Sequence, residues 1–95
     1  MIYVSGPMSG IGDKNRPLFK SWQTCLEILG YDVINPHELP DPSPATWESY
    51  LERDLSVLCE CTVIFMLPGW RKSKGALLEY EFAKYHKIKR HGFRK

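Results

Sequence analysis

The run Thr62-Val63-Ile64-Phe65-Met66-Leu67 is apolar after its first residue and shows no polar alternation. Such a run is the mark of a strand covered on both faces, as in the parallel sheets of α/β proteins. It leads at once into Pro68-Gly69-Trp70, a turn, and then into a helical segment over about residues 74–86. Parallel strands need crossover connections, so helices must lie above and below the sheet. The rest of the chain supplies them. Ile2-Tyr3-Val4 reads as a short strand ended by the glycine-rich turn Ser5 to Gly12. A helix starts near Asn15 with Pro17 in its first turn, and Leu18, Trp22, Cys25, Leu26 and Leu29 recur along one face. Gly30 ends it. Tyr31 to Asn35 reads as a second strand stopped by Pro36, and four prolines from Pro36 to Pro44 stiffen the loop before a helix over about residues 44–59. Ile88 and Phe93 alone speak for a fourth strand.

Helical phase separates buried carboxylates from solvated ones. At about 100° per residue, Asp54 falls within the apolar stripe of Trp47, Tyr50, Leu51, Leu55 and Leu58, whereas Glu52 and Glu60 do not. Glu79 shares its face with Ala76, Phe82 and Ala83, while Glu81 points away. A carboxylate on a buried stripe needs a partner or a chemical role. The small side chains of Ala76 and Ala83 leave room in front of Glu79. The loop at Ser5, Gly6, Met8 and Ser9 can direct backbone N–H groups at an anion, although its spacing matches neither common phosphate-loop fingerprint. Gly69 and Trp70 stand at the strand's carboxyl end, where the indole has the shape to stack on a base, although a loop tryptophan more often forms an edge of the core or an oligomer contact.

Ninety-five residues make a single domain, 1–95, and 43% hydrophobic content is that of a folded protein. No apolar run approaches the roughly 20 residues of a membrane span, so no membrane partner is expected. A strand beginning directly after Met1 leaves no room for a signal peptide, and the expected location is cytoplasmic. Cys25, Cys59 and Cys61 sit in apolar patterns and read as buried thiols; neither they nor His37, His86 and His91 have metal-ligand spacing. Neither a metal nor a cofactor is expected. The net charge of +2 conceals a basic tail: residues 84–95 carry six bases and no acid. It reads as a solvated end, with nucleic acid as the alternative partner.

With Tyr3-Val4-Ser5-Gly6-Pro7-Met8-Ser9-Gly10, Asp54 in Glu52-Arg53-Asp54-Leu55, and Ser73-Lys74-Gly75-Ala76-Leu77-Leu78-Glu79, the chain resembles the nucleoside 2-deoxyribosyltransferase superfamily over about residues 1–86. It is similar to a short bacterial and phage branch with a Leu-Pro-Gly-Trp strand end, and to deoxynucleoside 5′-monophosphate N-glycosidases. The resemblance implies a small flavodoxin/Rossmann-like three-layer α/β fold with a short parallel sheet of three to four strands. It makes Glu79 the nucleophile at C1′ of the sugar, Asp54 the proton donor by the base, and Tyr3 the residue that orients Glu79. Ser73 stands where the monophosphate hydrolases bind the 5′-phosphate. Ser5, Gly6, Met8, Ser9, Gly69, Trp70 and Gly75 complete the expected substrate contacts. The implied substrate is a small (deoxy)nucleotide or nucleoside, and the implied assembly a homodimer or higher homo-oligomer.

The sequence departs from the hydrolases in its first loop, where Pro7 and Ser9 replace a serine and an arginine. The chain ends sixteen residues after Glu79. These departures keep a second reading open, a catalytically silent nucleotide-binding or sequestering protein using the same pocket. A third, a nucleic-acid accessory role, would work through residues 84–95.

Overall fold

The computed structural model describes residues 1–94. Four parallel strands, β1 (Ile2–Ser5), β2 (Val33–Ile34), β3 (Val63–Met66) and β4 (Lys89–Gly92), form one sheet in the order β2-β1-β3-β4. Helices α1 (Arg16–Ile28), α2 (Trp47–Leu58) and α3 (Lys74–Tyr85) connect them. The architecture is the three-layer α/β sandwich expected. β1 and β3 are neighbours in register from Ile2↔Val63 to Ser5↔Met66. The chain leaves β1 toward one edge and β3 toward the other, so the carboxyl ends of these two strands flank the switch point, where open α/β sheets hold ligands.

Period-two alternation divides the core. Ile2 and Val4 pack with Phe19 and Leu26 of α1 and with Leu67. Tyr3, Ile64 and Met66 face the opposite way and pack with Leu58 of α2 and with Ala76 and Ala83 of α3. The α1 face is less well covered. Val63 and Phe65 are half-buried there, whereas Ile64 and Met66 are buried under two helices. β3 is therefore not buried on both faces as the sequence suggests; its α1 side is only half covered.

Local chemistry sets the helix ends. Pro17 occupies the first turn of α1. Thr46 caps α2 by accepting from Ser49 N at 3.1 Å, and Ser73 caps α3 by accepting from Ala76 N at 3.2 Å. The proline-rich loop runs three residues further than expected, so α2 begins at Trp47 rather than near Pro44. β2 shortens to two residues because only Val33 and Ile34 lie against β1.

β4 answers the open question of a fourth strand. Its residues Lys89, Arg90, His91 and Gly92 are all exposed, and backbone pairing to β3 holds them. Charge along an exposed edge also discourages pairing with other sheets. Gly92 is required: at φ 106°, a Cβ there would lie 2.3 Å from Met66 O. Cys61 is buried, but Cys25 and Cys59 are exposed, contrary to expectation. Among the described residues, no helix is long and apolar enough to cross a membrane.

Candidate active site

Glu79 lies one and a half turns into α3, on the face that meets the sheet. Its side chain is 6% exposed. Oε2 accepts the Tyr3 hydroxyl at 2.7 Å, and Oε1 accepts the Ser5 hydroxyl at 2.6 Å. Both donors come from alternate positions of β1, so strand geometry aims two hydroxyls at one carboxyl group. Burial pushes the Glu79 carboxyl up to about 8, with the nearby Asp54 charge adding to it and the Ser5 and Tyr3 donors opposing it. The Tyr3 hydroxyl is raised well above its ordinary value by burial and by the Glu79 and Asp54 charges, so it remains a donor.

Asp54 is 8% exposed on α2. Its Oδ1 accepts Arg53 Nη2 at 2.7 Å and Nε at 3.0 Å. Arg53 also donates to the carbonyls of Pro36 and Pro40, at 3.1 and 3.2 Å. One guanidinium therefore ties the carboxylate to the proline-rich loop. Sequence reasoning missed Arg53, because a charged neighbour on the same helix carries no signal of pairing.

Glu79 and Asp54 line one cavity of about 230 Å³ at the sheet's switch point. Gly6, Met8 and Ser9 from the first loop and Ser73, Gly75 and Ala76 from the start of α3 line it as well. Gly6 must be glycine, because a Cβ would come within 2.8 Å of Leu67 Cβ. Ser73 accepts the Ala76 N–H as a cap, which leaves its hydroxyl hydrogen free to donate. The amino end of α3 adds the positive end of its dipole at the same wall.

The remaining expected residues lie elsewhere. Tyr3 and Ser5 stand behind Glu79 rather than on the cavity surface. Gly69 and Trp70 do not line the cavity. Trp70 is 3% exposed, stacks on Tyr80 with centroids 4.6 Å apart, and donates Nε1 to Phe93 O at 2.6 Å. Its polar edge is satisfied within the fold, so it is a core residue.

The aromatic wall comes from Trp47 and Tyr50, one turn apart on α2. The periodicity placed both on the inward stripe, but Trp47 is 41% exposed because that end of the stripe faces the cavity. Lys74 Nζ lies 4.9 Å from the centroid of its ring.

Lys14, Arg16 and His37 also line the cavity. The backbone turns left-handed at Asp13, Lys14 and Asn15, and Asn15 Nδ2 anchors the turn on Pro7 O at 2.9 Å. Gln23 and Asn35 hold the Pro36–Glu38 turn against α1, through Asn35 Nδ2 to Gln23 Oε1 at 3.1 Å and Gln23 Nε2 to Glu38 Oε1 at 2.8 Å. His37 is thereby fixed in the wall. Burial and the Arg16 charge lower the His37 imidazole from its ordinary value, so the neutral ring is favoured. Among the described residues, no group of three His, Cys, Asp or Glu side chains has the arrangement of a metal site.

A family model described as a domain of unknown function (DUF4406) matches residues 1–90. The chain belongs to the DUF4406 family. Nothing matches it among curated proteins or solved structures. The match spans every cavity residue of this DUF4406 chain, from Gly6 to Glu79.

Proposed function

We propose that this DUF4406 chain acts on the N-glycosidic bond of a (deoxy)nucleoside 5′-monophosphate, cleaving it or transferring the sugar through Glu79. One observation carries the reading. A buried carboxyl group is gripped by two hydroxyl donors at the wall of a cavity that a second carboxylate, Asp54, also lines. The resemblance to nucleoside 2-deoxyribosyltransferases and monophosphate N-glycosidases assigns the same two residues.

The chemistry runs through a proton exchange between the carboxyl groups. Glu79 rests with its proton, since burial holds it at about 8. The reaction needs that proton on Asp54, as the acid beside the base, with Glu79 an anion below C1′. The C1′–N bond then breaks, its electron pair leaves with the base, and the base takes the Asp54 proton. Positive charge on the sugar is met by Glu79, which forms a glycosyl ester. Water resolves the ester in a hydrolase; a second base resolves it in a transferase. Tyr3 and Ser5 position Glu79, and Trp47 and Tyr50 supply planar surface for the base. Ser73 and the amino end of α3 take the 5′-phosphate. A homodimer or higher assembly belongs to the same reading.

The raised Glu79 carboxyl also favours a second reading. A carboxyl group that keeps its proton at neutral pH is a poor nucleophile, as a silent nucleotide-binding protein would have. Incubation with a panel of deoxynucleoside monophosphates, with free base measured over hours, decides between them. Base release that depends on Glu79 supports the first reading. Calorimetric binding without turnover selects the second.

A further inference from the structure

A second depression, of about 530 Å³, lies at the carboxyl end of β4. Arg71, Arg90, Arg94 and His91 line it together with Trp70 and Tyr80, and among the described residues no carboxylate does. Two of the guanidiniums are held on a stack of rings. Arg71 lies over Trp70, 4.9 Å from the ring centroid; Trp70 stacks on Tyr80; Arg90 lies over Tyr80 at 5.5 Å. Arg71 Nε also donates to the Arg94 carbonyl. Among the described residues, none of the three arginines is within ion-pair distance of a carboxylate.

Collecting like charges in one depression is unfavourable unless an anion answers them. The rings hold the Arg71 and Arg90 guanidiniums; the Arg71 Nε–H is spent on the Arg94 carbonyl, which leaves its Nη groups, with the Arg90 guanidinium, to meet phosphate oxygens. Solvated edge-strand charge alone requires no such ordering. We propose that this depression is a phosphate-binding site, separate from the Glu79 cavity, formed by Arg71 and Arg90 on the Trp70–Tyr80 stack with Arg94 on the same lining. The phosphate is that of a free phosphate compound or of a nucleic-acid backbone.

NMR of the arginine Nε–H and tryptophan Nε1–H groups of the full chain tests the site. Tripolyphosphate and then a short oligothymidylate are added at fixed ionic strength. The Arg71, Arg90 and Trp70 signals are expected to shift saturably. Saturation by tripolyphosphate identifies free phosphate compounds as ligands; saturation by the oligonucleotide alone identifies the backbone. The R71Q/R90Q variant is expected to bind at least tenfold more weakly. K84Q/K87Q removes the same charge from exposed positions on α3 and after it, and is expected to bind as the unaltered chain does. Shifts that stay linear with every probe overturn the proposal. Equal weakening in K84Q/K87Q overturns it too, since that marks diffuse attraction.

Discussion

Glu79→Gln should make the protein's stability less sensitive to pH, in a direction opposite to that of an ordinary paired carboxylate. The native carboxyl is pushed up to about 8 against an ordinary value of 4.5. Between these values the folded chain keeps a proton that the unfolded chain releases. The stabilisation is therefore complete below the unfolded pKa and is lost as pH rises through the folded one. The slope across the window is about 1.4 kcal/mol per pH unit, so Glu79 alone removes roughly 2–3 kcal/mol between pH 5.5 and 7.5. Glutamine keeps the side chain's size and can exchange hydrogen bonds with Tyr3 and Ser5, but cannot ionise. Urea denaturation followed by tryptophan fluorescence at pH 5.5, 6.5 and 7.5 measures the effect on both proteins. The difference between them should change by roughly 2–3 kcal/mol in favour of the glutamine variant as pH rises. His37 titrates in the same window but is common to both, so it cancels. Parallel profiles would refute the argument, because they would mean that Glu79 ionises in the fold as readily as in water.

Three other substitutions probe the support around the site. Arg53→Ala leaves Asp54 without its partner and frees the Pro36 and Pro40 carbonyls; unfolding should become about 3 kcal/mol easier in urea, with partial recovery in Arg53→Lys. Tyr3→Phe removes one donor from Glu79, and a hydrogen bond to a charged group is worth about 1.5–3 kcal/mol. Base release should fall roughly ten- to a hundredfold while nucleotide affinity holds; a fall in affinity alone would contradict a positioning role. Gly6→Ala drives a methyl group against Leu67 Cβ, and should lower stability by about 1–3 kcal/mol in thermal unfolding.

The carboxylates were legible in the sequence because helical phase reports a direction. It separated Glu79 from Glu81 and placed Asp54 inward, and both are buried. Direction does not say what fills the space ahead. Trp47, Tyr50 and Leu51 continue the same stripe, yet they face a cavity rather than the core. Trp70 misled for a related reason. A loop tryptophan beside a strand end can serve a ligand or the core, and only the positions of Tyr80 and Phe93 decide. Lys14 and Arg16 reach the cavity through a left-handed turn of non-glycine residues, which propensity disfavours. β4 has no strand pattern because an exposed edge is selected by backbone pairing, not by apolar alternation.

The most direct test of the central claim is the mass of the protein during turnover. Acid quench of the unaltered chain with deoxynucleoside monophosphates, followed by proteolysis and mass spectrometry, should find one 2-deoxyribose 5-phosphate esterified to Glu79. The Glu79→Gln variant should carry no adduct and release no base. Base release at an undiminished rate from that variant would contradict the account.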